Sequence, residues 1–153
     1  MIEDKVIKKR STFRLEYSHK VNINASSDKI WQLLTDTVNF TNWNSTLTSL
    51  KGDMSLGGKI EIMSPDVPGK VFSIKVKEFI PNKWMLWANG FPLTLRVKRS
   101  FLLTEQKDGS TDFEMKESFS GLMVPTFVKN LPDLTPMFNH FENDLKKAVK
   151  KNP

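Results

Sequence analysis

A chain of 153 residues is the size of one domain and can bury a substantial core. It contains no cysteine, which excludes disulfides, thiol nucleophiles and thiolate metal sites. Lys+Arg number 23 against 17 Asp+Glu, a net +6, while 11 Phe, 4 Trp and 7 Met beside a single Tyr form a large apolar load with few polar handles.

A basic balance raises three partners: nucleic acid, an anionic membrane, or an acidic small molecule. The basic clusters Lys8-Lys9-Arg10, Lys146-Lys147 and Lys150-Lys151 lie at the ends of the chain and read as solvated. No apolar run approaches the ~20 residues of a membrane helix, so no integral membrane segment is expected. The start, Met1-Ile2-Glu3-Asp4-Lys5, has no apolar signal core, and a cytoplasmic protein is expected. Residues 1–12 read as a flexible basic N-terminal arm and 13–153 as a single domain, a monomer or weak dimer.

Residues 13–24 alternate strictly: Phe13, Leu15, Tyr17, His19, Val21 and Ile23 share one face, which predicts a long half-buried antiparallel strand. Ser26 and Asp28 then suit a helix cap and first turn. Ile30, Trp31, Leu33 and Leu34 form the apolar face of a helix ending near Asp36, and Val38, Phe40 and Trp43 a second, shorter piece. Strands follow at 45–51, after Gly57-Gly58 at 59–63, and at 70–80 with Phe72, Ile74, Val76 and Ile80 on one face. Pro81-Asn82 turns into a strand at 83–88, Asn89-Gly90-Phe91-Pro92 breaks it, and two more strands run at 94–105 and 110–120. Pro125 can open a helix, Pro132 interrupts it, and Thr135-Pro136 reads as a fresh cap and first turn. Phe138, Phe141, Leu145, Ala148 and Val149 recur at helical spacing from there, with Glu142, Lys146 and Lys150 assigned to the other face. The order is strand, two short helices, about six strands and a long helix. It predicts an α+β fold whose antiparallel sheet is covered by that helix.

Particular words in that order carry a resemblance. They are Val21-x-Ile23-x-Ala25-Ser26-x-Asp28-x-Ile30-Trp31-x-Leu33-Leu34-Thr35-Asp36, Phe40-x-x-Trp43-Asn44, Gly57-Gly58, Arg99-Ser100-Phe101-x-Leu103, Glu117-x-Phe119-Ser120-Gly121-Leu122 and Leu145-Lys146. Together they resemble the START/Bet v 1-like (SRPBCC) superfamily over residues 13–150, closest to its polyketide cyclase/dehydrase-type and Hsp90-activator-homologue branches. The resemblance implies a helix-grip fold: a curved antiparallel sheet of about seven strands wrapped around a long C-terminal helix, with a cavity between. It implies binding of hydrophobic or amphipathic small molecules, and it carries over no catalytic motif. Thr41, where a Pro is common, and the Pro132/Pro136 pair depart from the pattern at the cavity entrance. On that fold Trp43, Trp87, Phe91, Phe127 and Met137 surround the entrance and upper cavity.

The last hairpin can be registered. Lys107-Asp108-Gly109 makes a three-residue loop, so paired positions sum to 216. Leu103 then faces Phe113, Phe101 faces Met115, Val97 faces Phe119, and Arg99 faces Glu117. All but the last pair are apolar, so two opposite charges stand on the inner face. They are either a structural ion pair or a polar anchor in an apolar cavity. His19 is either a hydrogen-bonded core residue or, with Tyr17, a cavity-facing donor or general base; His140 is expected at the surface. Two histidines without cysteine or clustered carboxylates make no metal set, and no cofactor is expected. No Gly-x-Ser-x-Gly elbow or phosphate loop occurs. Phe13, Phe72, Phe101, Phe113 and Phe119 face inward, opposite the bases, which argues against nucleic-acid binding.

The expected function is therefore binding of a small hydrophobic or amphipathic, even acidic, molecule in the internal cavity. The expected ligand-binding set is Tyr17, His19, Trp43, Phe72, Trp87, Phe91, Arg99, Phe101, Met115, Glu117, Phe127, Met137 and Phe141. Two alternatives stay open. One is a cyclase/dehydratase-type enzyme acting on a polyketide-like or aromatic substrate, with His19 or Glu117 moving protons and Arg99 stabilising negative charge. The other is a co-chaperone-like protein-interaction module.

Overall fold

The computed structural model describes residues 5–151. The chain forms β1 (Ile7–Ser11), β2 (Arg14–Ile23), α1 (Ser27–Thr35), α2 (Phe40–Trp43), β3 (Ser49–Gly52), β4 (Lys59–Met63), β5 (Phe72–Ile80), β6 (Trp84–Phe91), β7 (Leu95–Glu105), β8 (Thr111–Ser120), α3 (Val124–Phe127) and α4 (Thr135–Lys151). The strands make one eight-stranded antiparallel sheet in the order β1-β2-β8-β7-β6-β5-β4-β3. The α+β helix-grip architecture is thus present, with one strand more than expected.

Alternation drives β2: Leu15, Tyr17, His19, Val21 and Ile23 are all buried. Phe13, expected on that face, instead stands exposed in the β1–β2 turn. The additional strand is β1, inside the segment read as a flexible arm. All five of its residues are exposed, so it buries no face and leaves no alternation to read; a basic sequence there suits an edge strand. Ser26 caps α1, its side chain accepting from the Lys29 N–H at 3.2 Å. The strand expected at 45–51 begins only at Ser49 because Asn44 folds a local turn, its side-chain oxygen accepting from Thr46 N and Oγ1 at 2.9 and 2.6 Å.

A bulge between Val76 and Glu78 in β5 reverses the expected parity. Phe79 turns inward onto Trp31, ring centroids 5.2 Å apart, and Ile80, expected in the core, is exposed. The β7–β8 hairpin has the expected register throughout, including Arg99 opposite Glu117. Strand β6 does not break at Asn89; it pairs with β7 through Phe91. Gly90 makes this possible, with φ +82° and its backbone so near Leu95 that a Cβ would lie 2.0 Å from the Leu95 oxygen. Gly90→Ala is expected to destabilise the fold by about 1–3 kcal/mol. An unchanged urea midpoint would contradict this.

Helix α4 lies against the sheet through Phe138, Phe141, Leu145, Ala148 and Val149, all buried. Phe141 is its central contact: its ring meets those of Phe40, Trp43, Phe101 and Phe113 at 6.3, 5.9, 6.2 and 5.9 Å. The chain breaks between α3 and α4 around Pro132, as expected of a proline without an N–H to donate. The cap of α4 is supplied by Asp133 rather than Thr135: its Oδ1 accepts from Thr135 N and Oγ1 at 3.1 and 2.9 Å. No helix of the described residues is long and apolar enough to cross a membrane.

Candidate functional site

Five strands place one residue each in a cross-strand row on the inner face. Tyr17 (β2) lies opposite Glu117 (β8), Glu117 opposite Arg99 (β7), Arg99 opposite Trp87 (β6), and Trp87 opposite Val76 (β5). Antiparallel pairing brings such neighbours to about 4.5–5.5 Å at Cβ, so the row is one continuous surface. Arg99 Nε donates to Glu117 Oε1 at 2.7 Å, and both side chains are about nine-tenths buried (11% and 12% exposed). The guanidinium carbon sits 5.9 Å from the Trp87 ring centroid, within cation–π range. At the other end of the row the Tyr17 hydroxyl donates to Asp133 Oδ1 at 3.3 Å.

The row borders a cavity of about 400 Å³ between the sheet and the helical segment. Ile62, Phe72, Ile74, Trp87, Leu95 and Val97 form its strand wall. Phe119, Phe127, Leu131, Leu134 and Met137 face them from β8 and the interrupted helix. Exposed lining residues Asp66, Val67, Lys70 and Pro132 mark the mouth. The Pro132 break lies at this cavity, with Leu131 and Leu134 on either side of it in the lining. A cavity of this size exceeds the ~30 Å³ of a single water more than tenfold.

Of the residues expected to form the site, Phe72, Trp87, Arg99, Glu117, Phe127 and Met137 line the cavity. The others are elsewhere. Phe101, Met115 and Phe141 are buried in solid packing. Tyr17 is buried beneath Phe138, which it stacks on at 5.9 Å. Trp43 lines a polar groove between α1, α2 and the second half of α4. Phe91 is exposed, because β6 runs on through Gly90 and carries it beyond the sheet's cover. Ile62, Leu95, Leu131 and Leu134 belong to the lining but were not among the expected residues. Ile74 and Val97 line it too, and alternation and register place both inward, a usable signal. Leu131 and Leu134 had none, since their placement depends on how the chain crosses the helix break.

His19 faces inward, as its parity requires, but not into the cavity. It sits where no space admits a water molecule, among Val21, Phe113, Met115, Phe138 and Phe141. Its Nε2 pairs with Glu142 Oε1 at 3.3 Å, and Lys146 Nζ donates to Glu142 Oε2 at 2.6 Å. Glu142 was assigned to the outer face of the last helix; it is buried. The signal was present: position 142 is four after Phe138 and three before Leu145, inside the apolar stripe. The structure therefore does not bring His19 to the Arg99–Glu117 pair. His140 is exposed, as expected.

Asp133 ties the row to α4 electrostatically. Hydrogen bonds from the Thr135 N–H and hydroxyl, then from Tyr17, and the nearby Lys8 charge hold its carboxyl below its ordinary value, outweighing the opposing effect of desolvation. A depressed carboxyl stabilises the fold fully above its unfolded-state value and loses that contribution as pH falls through the folded value. Asp133→Asn is therefore expected to lower the melting temperature at pH 7. The difference from the parent should start to shrink below about pH 4, where the carboxyl of the unfolded chain protonates, and vanish once pH falls below the depressed folded value; a constant difference down to pH 2 would contradict this.

The comparisons with known proteins agree with this architecture. A conserved protein of unknown function from Enterococcus faecalis superposes with a TM-score of 0.66 at 19% identity, covering 95% of this chain and 77% of its own. CalU16 from Micromonospora echinospora gives 0.68 at 15% identity, covering 97% and 85%. Norcoclaurine synthase from Thalictrum flavum, solved with dopamine and hydroxybenzaldehyde, gives 0.67 at 13% identity, covering 97% and 90%. At such identities these likenesses establish the Bet v 1-like fold alone. No curated protein sequence matches the chain. Residues 24–130, from the end of β2 through the turn after α3, match the sequence profile described as Activator of Hsp90 ATPase homolog 1-like protein, and the chain belongs to that family.

Proposed function

We propose that this protein binds a small hydrophobic or amphipathic molecule in the cavity between the sheet and the interrupted C-terminal helix. The observation that carries the reading is the cavity itself: about 400 Å³, walled by apolar side chains, with the Arg99–Glu117 pair set in one side. Ligand sites are typically ~300–1,000 Å³ and mostly apolar, with a few fixed polar groups. The solved complex of norcoclaurine synthase with dopamine and hydroxybenzaldehyde is in keeping with small-molecule binding by this fold. Native mass spectrometry and ligand-shift NMR against a library of lipids and aromatics test the proposal. Val97→Trp, which puts an indole into the space, is expected to weaken any hit at least tenfold while the protein stays folded. Undiminished binding in that variant would place the ligand elsewhere.

A second reading, a protein-interaction module, has its own observation. Phe91, Leu93, Leu122 and Met123 are exposed by 74%, 78%, 67% and 52%. Backbone bonds from Leu122 N to Leu93 O and from Met123 N to Thr94 O, at 3.0 and 2.9 Å, gather their loops at one end of the sheet. Clustered exposed apolar residues mark contact surfaces. Retention on immobilised Hsp90 that is lost in Leu93→Asp/Leu122→Asp supports this reading; no retention of the unaltered protein counts against it.

A further inference from the structure

Among the described residues, two cavity-lining side chains keep a buried hydrogen-bond donor with no acceptor in the protein: Trp87 Nε1 and Arg99 Nη1. They are direct cross-strand neighbours, with the guanidinium over the indole. Buried donors in native proteins nearly always have partners, so each such group asks for an explanation. Because the two belong to adjacent residues of one apolar wall, a single explanation can serve both.

The charges decide what kind of acceptor fits. The charged residues of the lining are Asp66, Lys70, Arg99 and Glu117, two of each sign. Arg99 is already neutralised through Nε by Glu117 at 2.7 Å. A ligand carboxylate at these donors would add a second negative charge beside Glu117 in a medium of low dielectric. The one cation there, Arg99, is already paired, and the other lining cation, Lys70, stands at the exposed mouth with its Nζ over the Phe72 ring. A carbonyl oxygen has two lone pairs and no charge, and it can accept from both donors. Resting on the proposed cavity function, we infer that the ligand carries a neutral carbonyl oxygen, as in a ketone, ester, amide or quinone. That oxygen takes hydrogen bonds from Trp87 Nε1 and Arg99 Nη1, and the apolar body lies against Phe72, Ile74, Leu134 and Met137. This departs from the acidic ligand that the net charge of the chain invites.

Three probes of matched size test it: 2-ethylnaphthalene, 2-acetylnaphthalene and 2-naphthoate, titrated at pH 7 and followed by the indole N–H resonances of the four tryptophans. The ketone is expected to bind at least tenfold more tightly than either of the others. It should move the Trp87 indole resonance downfield, that resonance being identified by its absence in Trp87→Phe. In Trp87→Phe the preference for the ketone over the hydrocarbon should fall at least threefold while 2-ethylnaphthalene still binds. Equal binding of all three, or a preference that survives in Trp87→Phe, overturns the carbonyl inference and leaves the cavity reading standing. Tightest binding of 2-naphthoate overturns it in favour of an acidic ligand. No binding of any probe counts against both. If Trp87→Phe does not fold, the selectivity of the unaltered protein decides the matter.

Discussion

Glu117→Ala is expected to cost about 3 kcal/mol of folding stability, the lower end of the range for breaking a buried ion pair from one side. The loss arises less from the missing attraction than from the guanidinium left behind. Arg99 would keep its charge in an apolar wall, with Nε as well as Nη1 lacking an acceptor. Replacing both residues, as in Arg99→Met/Glu117→Leu, is expected to return the protein to within about 1 kcal/mol of the parent, because no charge then remains to be solvated. The Arg14–Glu16 pair is an internal control. Its N–O distance of 3.0 Å is similar, but the side chains are 52% and 20% exposed, so Glu16→Ala should cost less than about 1 kcal/mol. Urea unfolding of the three variants and the parent checks the set. Equal small losses for Glu117→Ala and Glu16→Ala would show that solvent reaches the inner pair freely.

Phe141→Ala is expected to be as damaging or worse, at about 3–5 kcal/mol. The side chain is 1% exposed, and its ring meets four other aromatic rings from α2, β7 and β8. Removing it deletes apolar burial and opens a void at the point where α4, α2 and the sheet meet. The surrounding rings come from three separately anchored elements and have little freedom to close the gap. Phe91→Ala removes the same atoms from an exposed position and should change stability by no more than about 0.5 kcal/mol. Denaturant midpoints at constant m-value test the contrast.

The elements with a buried face on one side were readable, and the rest were not, for physical reasons. Strand β2 and the β7–β8 hairpin alternate because one face meets the core, and Gly109, at φ +88°, fixes the register of the second. That register by itself sets Arg99 opposite Glu117. Strand β1 packs neither face and so writes no pattern into its sequence. The β5 bulge was hidden because Phe79 and Ile80 are both apolar, and either parity satisfies a hydrophobicity count. Six of the thirteen expected site residues line the cavity, and all six were found from parity or from the family's arrangement. Phe101, Met115 and Phe141 lie outside it by depth rather than by face, whereas Phe91 is exposed and Trp43 lines the groove between α1, α2 and α4. Alternation says that Phe101 and Met115 point inward, but whether the inside is filled or empty there depends on Phe141 reaching them from the far end of the chain. Glu142 is a different case, a charged residue assigned outward by chemistry although its position lay in the apolar stripe.

The strand order carries a consequence for how the molecule comes into being. Strand β2 is made before β3 to β8, yet its inner neighbour β8 is the last strand of the sheet, and every strand from β3 to β7 must be traversed before the two can pair. Contacts so distant in sequence are slow to form, because the intervening loop must close before any of them contributes. During synthesis the apolar stripe Leu15–Tyr17–Val21–Ile23 therefore waits without its partner strand or α4. Only the basic β1 can pair beside it early, through a local hairpin. The lysines and arginine of that hairpin give the waiting segment charge at the moment when it is most prone to stick to other chains.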